Sequence, residues 1–79
     1  MPTQEDIKQE DKNLRYLKHM VNFNMALIAQ TDMSIEDALQ IVTSVKEFAV
    51  RLFPEKGHVF DMIYGPRFRR LINEKYGLH

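Results

Sequence analysis

The chain predicts an all-α fold, a small helical bundle built on an antiparallel hairpin. Three observations point there: two consecutive helix-length segments with broad apolar faces, a capping signal between them, and a proline that ends the second. At about 100° per residue, one side of the first segment gathers Ile7, Leu14, Leu17, Met20, Val21, Met25, Leu27 and Ile28. The second gathers Ile35, Ala38, Leu39, Ile41, Val42, Val45, Phe48, Ala49, Leu52 and Phe53. A helix resting on one neighbour needs only a stripe, so faces this wide imply neighbours on two sides. They also imply more apolar surface than one small chain covers.

The first helix is expected over about residues 4–29. Thr3 is placed to cap it, and Glu5 and Asp6 put negative charge at the favourable end of the helix dipole. Its first two turns are strongly charged, with Ile7 their one large apolar side chain, so residues 1–6 are expected to fray or face solvent. Gln30-Thr31-Asp32-Met33 reads as a short link, which makes the first two helices antiparallel neighbours. Ser34 caps the second helix, expected over about 34–53, with Asp37 three residues on as a variant of the capping box. Met33 and Ala38 occupy the two staple positions. Pro54 ends that helix, because proline has no N–H to donate and disfavours a helical residue before it. Pro54-Glu55-Lys56-Gly57 is a turn by composition.

Beyond the turn, Val59, Phe60, Ile63 and Tyr64 recur at helical spacing, and then Gly65-Pro66 intervenes. Proline suits the first position of a helix, so the C-terminal segment is broken there or kinked. Phe68, Leu71, Ile72 and Tyr76 make a narrower stripe that Gly77 closes as a C-terminal cap, leaving residues 77–79 to fray. Nothing divides the chain, so residues 1–79 read as a single domain near the size where one core gives modest stability.

Eleven Lys/Arg balance eleven Asp/Glu, so no net field draws the chain to nucleic acid or an anionic membrane. The balance is uneven along the chain. Residues 31–50 carry Lys46 against Asp32, Glu36, Asp37 and Glu47, a sum of −3. Residues 51–79 carry six cations against Glu55, Asp61 and Glu74, a sum of +3. Such opposed regions bias how two copies meet. The chain has no cysteine, which excludes disulfides and thiolate metal ligation. Its polar, acidic start is unlike a signal peptide, and no apolar run approaches a membrane span, so a cytoplasmic location is expected.

Several residues are tested against chemistry. Arg67, Arg69 and Arg70 follow Gly65-Pro66, where a helix start leaves N–H groups free, and the combination is a candidate site for a phosphate or carboxylate. Against it, Arg70 is spaced to pair with Glu74 at i, i+4, and Arg69 projects elsewhere. His19 lacks a carboxylate three or four residues away, His58 has Asp61 at i+3 but two ligands do not hold a zinc ion, and His79 is terminal; no metal site follows. Asn24 lies beside Leu17, Val21 and Ile28, where its amide is either buried and fixes register or sits at the edge of the stripe in water. Lys46 interrupts the second face and is expected to reach outward along its stem. The methionines belong to the core, and Tyr16, Tyr64 and Tyr76 to its margin.

No nucleophile with its base, paired carboxylates or nucleotide fingerprint is legible, so no enzyme, cofactor or small-molecule substrate is inferred. The expectation is a non-enzymatic helical interaction module whose partner is a second copy, a homodimer, or another protein. The alternative is a small regulator that binds nucleic acid or another polyanion through Arg67, Arg69 and Arg70, although the charge balance disfavours nucleic acid. An apolar ligand between the helices is a third possibility.

Overall fold

The structure is a computed structural model that describes residues 3–77, without the side chains of residues 5 and 6. The roles expected of Glu5, Asp6 and His79, and the fraying of residues 1, 2, 78 and 79, lie outside the described residues and side chains. Among the described residues four α-helices follow in order: α1 (Gln4–Gln30), α2 (Ile35–Leu52), α3 (Gly57–Ile63) and α4 (Gly65–Tyr76). The bundle measures 47 × 20 × 15 Å. Its radius of gyration of 14.1 Å exceeds the roughly 12 Å of a compact domain this long. The excess comes from α1, whose 27 residues span about 40 Å.

Local chemistry sets the helix ends. The Thr3 carbonyl accepts from the Ile7 N–H at 3.0 Å, the backbone pattern of a residue just before α1. The Ser34 hydroxyl accepts from the Asp37 N–H at 3.1 Å, capping α2 as its sequence predicts. Pro54 ends α2, but the segment expected as a turn is a 3-10 turn over Pro54–Lys56, and Gly57 opens α3 with ordinary right-handed angles. What Gly57 supplies is space, since a Cβ there would lie 3.2 Å from the Val50 Cγ2.

The C-terminal segment is two helices rather than one kinked helix. Tyr64 joins them in helical conformation, donating its N–H to the Phe60 carbonyl at 2.8 Å and accepting from the Phe68 N–H at 3.1 Å. Pro66 then has no N–H to offer the Met62 carbonyl four residues back, and its ring crowds that carbonyl. Gly77 ends α4 at φ 69°, a left-handed cap that donates to the Asn73 carbonyl.

The core joins Leu17, Val21 and Ile28 of α1, Ala38, Val45 and Ala49 of α2, Phe60 of α3, and Phe68 and Ile72 of α4. Phe60 sits between Tyr64 and Phe68, with ring centroids 5.7 and 6.4 Å away. The small Ala38 and Ala49 let α2 approach its neighbours closely, and both are buried. Most of the second face packs as expected, with Ile35, Ile41, Val42, Phe48, Leu52 and Phe53 against this core and Leu39 left 48% exposed.

The first face is corrected more heavily. Ile7 and Leu14 are 48% and 50% exposed. Met20 and Leu27 are half-buried and lie outside the core cluster. A face half a helix wide had promised neighbours on both flanks, but within the described residues only α2 and α4 pack against α1, and part of the face stays open.

Polar links fasten the layers. Lys46 reaches outward and pairs with Asp61 at 2.9 Å, joining α2 to α3. Lys56 pairs with Glu10 at 2.9 Å, tethering the 3-10 turn to α1. At the other end, Lys75 donates to the carbonyls of Ile28 and Thr31. α1 has no basic residue in its own last turn. Lys75 therefore brings, from α4, the positive charge that a helix C-terminus favours.

Candidate interaction surface

Tyr16, Met20, Phe23 and Leu27 recur at spacings of four, three and four residues, which aligns them in one row along α1. The row begins beside α2, where the Tyr16 and Phe48 rings lie 5.4 Å apart. Phe23 is 66% exposed and Tyr16 54%. The opposite side of α1 is the one that meets the C-terminal helices. There Leu14 shares a groove with Val59, Ile63 and Tyr64, and Met25 shares another with Pro66, Arg67 and Leu71. Leu14 and Phe23 are nine residues apart, about half a turn of direction at 100° per residue. The row therefore forms the outer face of the α1–α2 hairpin, on the side α3 and α4 do not cover.

Next to the row, Asn24, Ile41 and Ser44 line the seam between α1 and α2. Asn24 is half-buried and donates its amide to the Met20 carbonyl of its own helix at 2.7 Å. That bond supplies the partner its amide needs without reaching another helix. Leu17, Val21 and Ile28, grouped with it as candidates for an interface or register, are all buried in the chain's own core. The surface left for a partner is the neighbouring row.

A second apolar groove lies between α1 and α3, because no Cα of α3 comes within 8 Å of α1 among the described residues. Leu17, Ala49 and Phe60 floor it, Leu14 and Ile63 flank it, and its volume is about 310 Å³. Glu10 and Lys56 stand at its rim, already paired with each other.

The arginines separate. Arg67 and Arg70 line a groove with Met25 and Glu74 on the α1 side of α4. Arg69 lines a different groove, with Leu39, Lys46 and Asn73 on the α2 side. Arg67 lies 5.8 Å from the centre of the Tyr64 ring, in cation–π range. The expected Arg70–Glu74 ion pair does not form among the described residues. Asp61, three residues after His58, is engaged by Lys46. Among the described residues no three His, Asp or Glu side chains are grouped to hold a metal ion. Nor is any helix there long and apolar enough to cross a membrane.

Phe23 is the residue sequence reading missed. Its signal was the four-three-four spacing with Tyr16, Met20 and Leu27, hidden because the neighbouring core row already accounted for Met20 and Leu27. Comparison of the chain with family models, curated proteins and solved structures finds no match.

Proposed function

We propose that this protein is a non-enzymatic helical interaction module that pairs with a second copy of itself through the outer face of the α1–α2 hairpin. The observation that carries this reading is the row of Tyr16, Met20, Phe23 and Leu27, which runs beside Phe48 yet stays outside the core. An exposed phenylalanine alone is ordinary, whereas an aligned apolar row that the chain leaves uncovered is the seam by which helices associate. Aromatic side chains at the centre of such a face dominate binding energy. A cytoplasmic setting accords with the cysteine-free composition.

The polyanion reading has weaker support. Arg69 opens on a different groove from Arg67 and Arg70, so the three do not converge on one ligand.

Light scattering with size exclusion tests the reading on Phe23→Lys and on Met62→Lys, the latter at a residue 74% exposed on α3. Phe23→Lys raises the dimer dissociation constant roughly tenfold or more and leaves helicity unchanged; Met62→Lys leaves the dimer intact. A dimer indifferent to Phe23→Lys contradicts the reading.

A further inference from the structure

We infer that the groove between α2 and α4 binds a small aliphatic carboxylate, its tail on an apolar floor and its head on Arg69 and Asn73. None of the residues lining this groove belongs to α1, so the site is independent of the self-association surface. Val42, Phe60, Phe68 and Ile72 form the floor, and the volume is about 330 Å³. That is the small end of ligand sites, which run from roughly 300 to 1,000 Å³. Phe60, Phe68 and Ile72 are held in the buried core. On the α2 wall, Leu39 is 48% exposed, and an alkyl chain lying in the groove covers it.

The opposite wall supplies the head-group chemistry. Arg69 and Asn73 stand four residues apart on one face of α4, and both line the groove. Among the described residues Arg69 takes part in no ion pair, cation–π contact or side-chain hydrogen bond. The half-buried Asn73 side-chain amide has no hydrogen-bond partner among them either. A guanidinium presents two parallel N–H groups that match the two oxygens of a carboxylate, and the Asn73 amide adds a further donor.

Charge selects a monoanion. Lys46 and Arg69 stand against one acidic side chain, Asp61, so the lining carries a net charge of +1. Lys46 and Asp61 pair with each other at 2.9 Å, which leaves the Arg69 charge for the ligand. The two grooves between α1 and the C-terminal helices lack this combination. In one, Glu10 and Lys56 are paired with each other. In the other, Arg67 lies over the Tyr64 ring, and Glu74 shares the lining with Arg67 and Arg70.

Octanoate, kept below the concentration at which it forms micelles, is the probe, and amide shifts in nuclear magnetic resonance spectra of the full chain locate and measure its binding. Saturable shifts at Leu39, Val42, Gly65 and Asn73 are expected, since all four line the groove. Arg69→Gln weakens binding roughly tenfold or more, the scale of hydrogen bonds to a charged group. Leu39→Glu, which sets a competing carboxylate on the opposite wall, also weakens it. Both positions are exposed, so the fold survives either change. Arg67→Gln, on a different groove, leaves binding unchanged. Octan-1-ol, with the same tail and no charge, binds roughly tenfold more weakly. Butanoate loses roughly two- to fourfold for each methylene removed. Equal binding of octanoate and octan-1-ol, or equal effects of Arg69→Gln and Arg67→Gln, would overturn the carboxylate site. Shifts centred on Leu14, Val59 and Ile63 would place the ligand between α1 and α3, and the absence of any saturable shift would leave the groove without an aliphatic anion. Either result overturns the inference.

Discussion

Tyr76 donates its hydroxyl to the Met33 carbonyl at 2.9 Å, which ties the last turn of α4 to the residue just before the α2 cap. Its neighbour Lys75 bonds the carbonyls of Ile28 and Thr31 across the same link. Two consecutive side chains of α4 thus hold the bend of the hairpin shut. Tyr76→Phe removes one part-buried hydrogen bond and costs about 1 kcal/mol. Lys75→Met removes charge-assisted bonds and costs roughly 1–2 kcal/mol. Urea unfolding followed by circular dichroism measures both, and the two effects are less than additive because they secure one element.

Gly77 holds φ at 69°, where a side chain is strained. Gly77→Ala costs about 1 kcal/mol in a thermal melt, since alanine pays for the left-handed cap that glycine adopts freely. Because Lys75 and Tyr76 precede that cap directly, loosening it also loosens their hold on the link. Amide exchange at Thr31 and Met33 speeds up in the variant.

Phe68, 1% exposed, is packed beside Phe60 at the centre of the bundle. Phe68→Ala leaves a cavity there and costs about 3–5 kcal/mol. That is a large share of the total stability of a domain this size. The urea midpoint falls accordingly, and dimer formation, which needs the folded hairpin, falls with it.

The Lys46–Asp61 pair is about half exposed on both sides. Asp61→Asn therefore changes stability by less than about 1 kcal/mol, and added salt erases the difference. A larger loss would mean that the pair orients α3 rather than decorating its surface.

Where the fold was legible in the sequence, the cause is local. Ser34, Pro54 and Gly77 act on backbone groups within a few residues of themselves, and each ends or starts a helix as read. The break at Gly65-Pro66 is also local, because Pro66 has no N–H for the Met62 carbonyl. The apolar row was not legible for a tertiary reason. A wide face announces burial without saying which neighbour covers which flank. Leu17 and Val21 are buried on the side of α1 where α2 and α4 pack, and Phe23, on another side of the helix, is left outside. Lys75 was equally hidden, because its partners stand 47 and 44 residues earlier in the chain.

The most direct test of the account is the mass of the unmodified chain in solution, followed by light scattering over a hundredfold range of concentration. The account predicts twice the 9.4 kDa of one chain through most of that range, with dissociation at its dilute end. A constant mass of one chain up to high micromolar concentration would contradict it and leave the outer row of α1 to a different protein.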